Sequence, residues 1–353
     1  MGAGAASSRR RAPGPERRSG SMRVLVTGAS GFLGSHVAEQ LVQQGHSVVA
    51  LVRRSSDTRF LSSLRGVELA YGAVEDAESV RRAVVGPPGV DAIVHSAGLV
   101  KARDEAEFFR INVDGTRNLL DAAKAAPAGA IRRFVFVSSL AAIGPSQDGR
   151  PIAADARPAP VTRYGRSKLE AERLVLAEKG ALPVVVMRPP MIYGPRDQES
   201  FAFFQSVARR FLPMLGDGRN TLSVIYASDA AAACIRAIES DVPSGRAYFI
   251  DDGSVYVWRD MLADVEAALG ARALVRLGVP FSLVRGAALA SEGLGRLTGK
   301  AVMLTRDKLN ELSASHWVCD SSDARRELGW APEVSWAEGT RRAVAWYREH
   351  GWL

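Results

Sequence analysis

The sequence predicts an α/β fold in which helices cover both faces of a doubly wound parallel sheet. From Arg23 onward, short β-branched runs alternate with amphipathic stretches, the pattern of βαβ units. A glycine-rich segment follows the first run, and 353 residues are enough for a large core. Apolar residues make up 47% and charged residues 24% of the chain, as in globular proteins, which excludes disordered and collagen-like classes.

The predicted elements alternate regularly in the first half of the chain and less regularly in the second. Strands are predicted at Arg23–Thr27, Ser47–Val52, Val67–Tyr71, Asp91–His95, Arg133–Ser138, Pro183–Arg188 and Ala247–Ile250, and helices at Phe32–Gln44, Ser228–Glu239, Val257–Leu269, Val279–Leu297 and Trp336–His350. We therefore expect a disordered basic tail at 1–22, the sheet at 23–190 with some later segments returning to it, and a smaller α/β portion at 191–353.

Charge and cysteine content narrow the function classes. Half of the net charge of +8 lies in residues 1–22, and the remainder shows no basic stripe interleaved with aromatic residues, so no nucleic-acid partner is expected. The arginine pairs in the tail are not followed by the apolar region of an export signal. No stretch of about 18 residues is apolar enough to cross a membrane. Cys234 and Cys319 form no C-x-x-C pair, and the histidines have no metal-ligand spacing. We expect a cytoplasmic protein without a metal.

A phosphate-binding turn is predicted at Gly28–Gly34, between the first strand and the first helix. Gly28 permits a tight turn, Gly31 lets backbone amides approach a pyrophosphate, and Gly34 allows the helix to pack on the strand. The anion would then lie at the helix N-terminus. The segment predicts a bound dinucleotide.

Two arginines, Arg53 and Arg54, follow the second strand, where an NAD-binding protein usually has an acid for the ribose hydroxyl. Arginine attracts a 2′-phosphate, so NADP(H) is predicted in preference to NAD(H), which stays possible. The alternative is that both arginines are solvated surface charges.

The candidate catalytic residues are Tyr164, Lys168 and Ser139. Tyr164 and Lys168 are four residues apart, so they share one face of a helix. We expect the ammonium and a bound nicotinamide cation to favour the phenolate. Ser139 follows a central strand, where α/β sheets bind their ligands, and Ser138 is a competing candidate.

These segments resemble the extended branch of the short-chain dehydrogenase/reductase superfamily, which is NAD-dependent epimerase/dehydratase-like, from Arg23 to Leu353. The similar segments are Gly28–Gly34, Val94–Gly98, Asn112–Thr116, Val137–Ser139, Tyr164–Lys168, Arg188–Pro195 and Tyr226–Asp229. The resemblance implies a Rossmann fold, a Ser139/Tyr164/Lys168 catalytic set and a homodimer formed through helices near Glu105–Ala126 and Gly165–Lys179. The cofactor-binding residues that it and the turn together predict are Gly28, Ser30, Gly31, Phe32, Leu33, Gly34, Arg53, Arg54, Val74, Ala97, Gly98, Tyr164, Lys168 and Pro189.

The sequence departs from the family pattern at two places. Gly72-Ala73-Val74 lacks the acid that often contacts adenine, and Ile143-Gly144 replaces a frequent Tyr-Gly. The first departure indicates that adenine is bound more loosely or in a different arrangement, and the second removes a hydroxyl near the substrate.

The resemblance implies hydride transfer between a ketone and a secondary alcohol on a hydrophobic small molecule, which is steroid-, flavonoid- or 3-oxoacyl-like. The chain is closest in character to the 3β-hydroxysteroid dehydrogenase and dihydroflavonol reductase-like group. The alternatives are a sugar-nucleotide epimerase or dehydratase with bound NAD, and a non-catalytic nucleotide-sensing protein. The apolar stretch Val279–Leu304 is predicted to line a substrate pocket, to contact a membrane surface or to close the core.

Overall fold

The computed structural model describes residues 20–215, 218–279, 281–298 and 305–353. The strands are β1 Arg23–Thr27, β2 Ser47–Val52, β3 Val67–Tyr71, β4 Ala92–His95, β5 Arg133–Val137, β6 Val184–Arg188, β7 Met191–Tyr193, β8 Phe211–Leu215, β9 Thr221–Leu222, β10 Val224–Tyr226, β11 Arg246–Phe249, β12 Tyr256–Val257, β13 Val275–Val279 and β14 His316–Trp317. The α-helices are α1 Phe32–Gln43, α2 Arg59–Ser63, α3 Ala77–Val85, α4 Glu105–Phe108, α5 Gly115–Lys124, α6 Leu140–Ile143, α7 Arg163–Ala177, α8 Gln198–Ala208, α9 Ala227–Glu239, α10 Trp258–Leu269, α11 Phe281–Thr298, α12 Arg306–Ser313, α13 Ser322–Leu328 and α14 Trp336–Glu349, and a π-helix, Phe109–Asp114, joins α4 to α5.

The main sheet has seven parallel strands in the order β11-β6-β5-β4-β1-β2-β3. The strand order reverses between β1 and β4, which is the topological switch point where doubly wound sheets bind their ligands. The predicted fold class is confirmed. Strand β11 comes from the second half of the chain and extends the sheet beyond β6.

The central strands are hydrophobic along their whole length because helices cover both sheet faces. Every residue of β4, β5 and β6 is buried. Alternate side chains enter opposite clusters, so Val135 packs with α1 and α9 residues while Phe134 packs with α3, α5 and α7 residues. The carboxyl ends of these rigid strands provide a fixed edge for a site.

Much of the smaller portion packs around an aromatic cluster, whereas its helix α9 and strand β11 belong to the layers of the main sheet. Strand β7 leaves β6 and pairs with β10, and the buried rings of Tyr193, Trp336 and Tyr347 lie in the cluster behind this pair. Tyr193 and Trp336 ring centroids are 4.5 Å apart. Helix α8, which borders the site, packs on the same cluster through Phe204.

One predicted helix boundary is wrong. Val279 is the last residue of β13, which pairs in parallel with β8, and α11 begins at Phe281. A residue before proline is disfavoured in the α conformation, and Pro280 follows Val279. Strands β7 to β10 and β12 to β14 were not predicted. The other predicted helices and strands are present, and their observed ends lie within one or two residues of the predicted ends.

Two predictions concern residues that are only partly described. The predicted tail at 1–22 falls outside the described residues except for its last three positions, and Met22 is buried in the core. Of the apolar stretch Val279–Leu304, Leu283 and Leu289 are exposed. Among the described residues, no helix has both the length and the hydropathy needed to cross a bilayer.

Candidate active site

A cavity of about 2000 Å³ opens at the carboxyl ends of the sheet strands, above the switch point between β1 and β4. Ligand pockets commonly have volumes of about 300–1,000 Å³, so this cavity has room for two molecules side by side. The glycine turn forms one wall, the ends of β4 and β5 form the floor, and α7, α8 and α12 contribute the remaining walls.

The glycine turn has the geometry that a pyrophosphate requires. Gly28 has a φ of 68°, and a Cβ on it would lie 2.8 Å from the backbone nitrogen of Ala97. A Cβ on Gly34 would lie 2.1 Å from the carbonyl oxygen of Gly28, so the helix packs against the strand at a distance that only glycine allows. Helix α1 begins without a side-chain cap or an acidic residue in its first turn. Its N-terminal amides therefore fit an anion in the cavity.

The predicted cofactor-binding residues lie along the cavity, with one exception. Those that line it are Gly28, Ser30, Gly31, Phe32, Leu33, Gly34, Arg53, Val74, Ala97, Gly98, Tyr164, Lys168 and Pro189. Arg54 instead lies over the Tyr71 ring, 5.5 Å from its centroid. Arg59, which was not predicted, lines the cavity but is paired with Asp57 at 2.6 Å.

The carbonyl of Val74 takes part in a contact that the sequence did not indicate. It accepts a hydrogen bond of 2.9 Å from the Asn118 amide on α5. A Cβ on Gly72 would lie 2.5 Å from Ser79, so this segment packs closely on α3. Backbone and small side chains therefore form the wall where many relatives place an acid.

Tyr164 lies in the first turn of α7, whose N-terminus is capped by the Thr162 hydroxyl at 3.0 Å from the Gly165 nitrogen. Burial raises the pKa of Tyr164 to about 12, a hydrogen bond with Ser139 opposes this, and the charges of Glu311 and Glu199 add to it. The expectation that the neighbouring ammonium makes this phenol acidic is wrong for the chain by itself, because burial is the largest of the effects on the pKa of Tyr164. The side chain is a protonated donor at neutral pH.

Lys168 is buried one turn further along α7. Its ammonium donates a hydrogen bond of 2.5 Å to the carbonyl of Val137 and lies 4.4 Å from the Phe136 ring centroid. Burial lowers the pKa of Lys168 to about 7, while Glu172 acts in the opposite direction. The lysine therefore changes charge near neutral pH.

The structure distinguishes the two candidate serines. Ser139 caps α6, its Oγ accepting from the Ala141 nitrogen at 3.1 Å, and it is hydrogen-bonded to Tyr164. Ser138 is buried, and its hydroxyl donates to Glu172 at 2.8 Å. Because the Ser138 hydroxyl already donates its hydrogen bond to Glu172, Ser139 is the serine placed to act with Tyr164.

Asn112 belongs to the site although the sequence reasoning assigned it no role. It lies in the π-helix, where its side-chain amide donates to Ser167 at 2.9 Å and to the Leu99 carbonyl at 3.1 Å. Ser167 in turn donates to the Tyr164 carbonyl at 2.8 Å. The sequence signal that could have indicated a role for Asn112 was its position in the family-like segment Asn112–Thr116. The π-helix that contains it agrees with such a role, because π-helices are frequent at functional sites.

The wall opposite the glycine turn is aromatic and aliphatic. Phe203 and Trp258 line it with ring centroids 4.7 Å apart, together with Leu222 and Trp317. None of residues 283–291, the part of α11 whose side chains the structure describes, lines the cavity; the residues of this wall come from α8, α10, β9 and β14 instead.

Two ion pairs occupy the rim of this wall. The ammonium of Lys101 lies 2.7 Å from a carboxylate oxygen of Glu199, and that of Lys308 lies 2.5 Å from one of Glu311. All four residues line the cavity. Both lysine charges are therefore compensated before a substrate arrives.

The sequence profile of the NAD dependent epimerase/dehydratase family matches residues 24–250, which include the glycine turn, Ser139, Tyr164 and Lys168. The chain belongs to this family. Its members form part of the extended short-chain dehydrogenase/reductase superfamily, as the sequence motifs indicated. The protein is an NAD(P)-dependent enzyme of the oxidoreductase type.

Curated relatives of this family member include reductases and a dehydrogenase. A ceramide reductase from Caulobacter vibrioides is 33% identical, with 94% of this chain and 96% of the relative covered. A 2-alkyl-3-oxoalkanoate reductase from Stenotrophomonas maltophilia is also 33% identical, with 92% and 99% covered. A 3-beta-hydroxysteroid dehydrogenase from Mycolicibacterium neoaurum is 28% identical, with 95% and 94% covered.

Solved structures of family members have the same architecture. A dTDP-glucose 4,6-dehydratase from Streptomyces venezuelae, solved with NAD bound, superimposes with a TM-score of 0.77. It is 25% identical, and the match covers 94% of this chain and 99% of that one. The fold is thus shared with a sugar-nucleotide enzyme.

Proposed function

We propose that the protein uses NADPH to reduce a ketone to a secondary alcohol on a hydrophobic small molecule. The observation that carries this proposal is the apolar wall of Phe203, Leu222, Trp258 and Trp317, which lines the same cavity as Tyr164. Burial of such a surface by a hydrophobic ligand is favourable at about 25 cal/mol per Å². The curated relatives are named for reductions of ceramide and of 2-alkyl-3-oxoalkanoates, which supports the same class.

The chain's residues supply the proton and the binding groups for this reaction. The coenzyme, when bound at the glycine turn, supplies the hydride. Tyr164, kept protonated by a pKa of about 12, donates its proton to the ketone oxygen, and Ser139 donates a hydrogen bond to the same oxygen. In its charged form Lys168 stabilises the phenolate that remains on Tyr164.

A substrate panel tests the proposal. NADPH absorbance is followed with a long-chain 3-oxo acid, a 3-oxosteroid, a dihydroflavonol and a UDP- or dTDP-hexose. We expect consumption of NADPH with at least one apolar ketone. Turnover confined to the sugar nucleotides would contradict the proposal.

Arg53 is proposed to bind the 2′-phosphate of NADPH. Arg53 lines the cavity, and in the described part of the chain it makes no ion pair, whereas Arg59 is paired with Asp57. Because a hydrogen bond to a charged group contributes about 1.5–3 kcal/mol, Arg53→Ala is expected to lower kcat/KM for NADPH by about ten- to hundredfold. The value for NADH should change little, since NADH lacks the phosphate.

The matched control is Arg54→Ala, which removes the neighbouring guanidinium that lies over Tyr71. It is expected to leave the ratio of NADPH to NADH efficiency within about twofold of the parent, as is usual for an exposed charge. Equal losses in the two variants, or better efficiency with NADH in the parent, would refute the assignment of Arg53.

The charge of Lys168 predicts the pH dependence of reduction. Since burial lowers its pKa to about 7, the ammonium is present below this pH and is lost above it. We expect kcat/KM for the coenzyme to fall as pH rises through about 7, while Tyr164 stays protonated. Lys168→Arg keeps a permanent charge and should remove this ionisation from the profile. A profile that is flat in the parent, or unchanged in the arginine variant, would contradict the role of Lys168.

Sugar-nucleotide epimerisation or dehydration is the second candidate function, favoured by the structural likeness to the dTDP-glucose dehydratase. A nucleotide diphosphate needs cations on the substrate side. The lysines there, Lys101 and Lys308, are each compensated by a glutamate, which disfavours this candidate. NAD(H) that copurifies with the protein would support it.

We propose a cytoplasmic homodimer in which α5 and α7 form the contact, as the resemblance implies. Light scattering at several protein concentrations tests the dimer.

A separate proposal concerns α11, whose Leu283 and Leu289 side chains are exposed. These side chains could contact a membrane surface, and liposome flotation tests this contact.

A further inference from the structure

A chain of buried polar side chains runs beneath the cavity. Thr27 ends β1 and His95 ends β4, and Thr27 Oγ1 lies 2.7 Å from His95 Nδ1. On the other side of the imidazole, Nε2 lies 2.9 Å from the hydroxyl of Thr116 in α5. All three residues have no exposed surface. Such groups need internal partners, so each contact is required.

The acceptor at the Thr116 end fixes the tautomer of the neutral imidazole, and with it the direction of the hydrogen bond between His95 and Thr27. Thr116 Oγ1 lies 2.6 Å from the Asn112 carbonyl, a pure acceptor, so its single proton is donated there. Thr116 must then accept from His95, which places a proton on Nε2. The backbone nitrogen of Ala97 donates to Thr27 Oγ1 at 3.1 Å, and the Thr27 hydroxyl proton is left for the bare Nδ1.

The imidazole is neutral in this arrangement. If Nδ1 also carried a proton, Thr27 Oγ1 would have to accept a hydrogen bond from it. The proton of the Thr27 hydroxyl would then lose Nδ1 as its acceptor. Burial and the nearby charge of Lys168 lower the pKa of His95 to about 3, which agrees with the hydrogen-bond directions. His95 therefore has one defined tautomer and no titration near neutral pH.

This chain of hydrogen bonds connects the two halves of the site. At one end it holds Thr27, the residue before Gly28 of the glycine turn, and the Ala97 amide on the cavity wall. At the other end it reaches Asn112, whose side chain bonds Ser167, which bonds the Tyr164 carbonyl. The contacts thus run without a break from the coenzyme turn to the first turn of α7.

We propose that His95, as the neutral Nε2–H tautomer, is a positioning residue that sets the coenzyme-binding turn relative to the helix carrying Tyr164 and Lys168. It touches neither coenzyme nor substrate and acts through Thr27 and Thr116. Only the kinetic consequence of this proposal rests on the proposed hydride transfer. A displacement of about 1 Å at reacting atoms can lower a rate by about a hundredfold, so this kind of positioning affects kcat.

The first test needs no substrate. Nitrogen NMR of protein labelled at histidine is expected to show His95 with a bare Nδ1 and a protonated Nε2, unchanged over the pH range in which the protein stays folded. The resonance is assigned by its loss in His95→Gln. An Nδ1–H tautomer, or a ring that titrates near neutral pH, would overturn the proposal.

The second test is kinetic. His95→Gln keeps an amide that can reach Thr116 but loses the acceptor for Thr27, and Thr116→Val removes only one hydroxyl. Each is expected to lower kcat by about ten- to hundredfold and to increase the deuterium isotope effect with labelled NADPH. The Kd for NADPH, measured by fluorescence, should change by less than about threefold. Unaltered kcat in both folded variants would overturn the positioning role.

His46→Gln is the matched control. His46 is also a buried histidine, its Nδ1 accepts from the Met22 nitrogen at 3.1 Å, and it lies at the amino end of β2, whereas the cavity lies at the carboxyl ends of the strands. Its replacement is expected to lower stability and leave kcat unchanged. If Tyr164→Phe retained full turnover while His95 had the assigned tautomer, the proposed function would fail and the hydrogen-bond chain would stand.

Discussion

Tyr164→Phe is expected to lower kcat for ketone reduction by about 10²–10⁴-fold, the usual contribution of a positioned general acid. The hydroxyl that is lost is the proton donor in the proposed reaction, and its high pKa keeps it protonated at neutral pH. The phenyl ring keeps its contact with Phe108, whose ring centroid lies 6.3 Å away. Helix α7 should therefore remain in place.

The measurement combines single-turnover reduction with a separate determination of the Kd for NADPH. We expect Kd within about threefold of the parent value, because uniform binding is not affected when only a transition-state interaction is removed. Tyr248→Phe is the matched control: its buried ring carries a hydroxyl that bonds Glu327 at 2.7 Å, away from the cavity. Full turnover in Tyr164→Phe, or an equal loss in Tyr248→Phe, would contradict the assignment.

The central sheet was predictable because its signals are local. Strands β1 to β6 are short apolar runs, of which all but the edge strand β3 are buried on both faces, and each is bounded by turn residues within the same stretch of sequence. The glycine turn was predictable for the same reason, since Gly28 and Gly34 serve a conformation within one strand-turn-helix unit. Tyr164 and Lys168 are separated by one helical turn, so their common face followed from spacing.

The features that sequence reasoning missed depend on contacts between distant segments. Strand β13 exists because it pairs with β8, more than fifty residues earlier, and a local apolar period cannot report such a partner. The direction of Arg54 depends on Tyr71 in the neighbouring strand. The pKa of Tyr164 was misjudged because burial is a property of the folded cavity, not of the spacing to Lys168.

The choice between Ser138 and Ser139 shows how one distant residue decides a site. Adjacent strand residues point to opposite faces, but the strand end could not be placed within one residue from sequence. In the structure Glu172, a helix residue one turn beyond Lys168, accepts the Ser138 hydroxyl proton. The same carboxylate is paired with Arg188 at the end of β6.

Arg188→Met is expected to lower the free energy of unfolding by about 3–5 kcal/mol, the usual cost of breaking a buried ion pair by removing one partner. Glu172 and Arg188 side chains are 2% and 7% exposed, and the guanidinium Nε donates to the carboxylate at 3.1 Å. Without the guanidinium, the buried carboxylate keeps one of its hydrogen bonds among the described residues, the one from the Ser138 hydroxyl. The Ala154 carbonyl also loses its donor, which Arg188 supplies at 2.6 Å.

Arg173→Met is the matched control for chemical denaturation, because Arg173 lies on α7, the helix that carries Glu172, in an ion pair with Glu170 whose members are 65% and 42% exposed. Exposed pairs contribute about 0–1 kcal/mol, so this variant should unfold close to the parent. The double variant Glu172→Leu with Arg188→Met removes both charges and is expected to recover most of the stability lost in Arg188→Met. If Arg188→Met unfolded at the same denaturant concentration as Arg173→Met, the buried pair would not be what holds α7 against β6. The placement of Lys168 would then need another support, since Glu172 is its neighbour one turn along the helix.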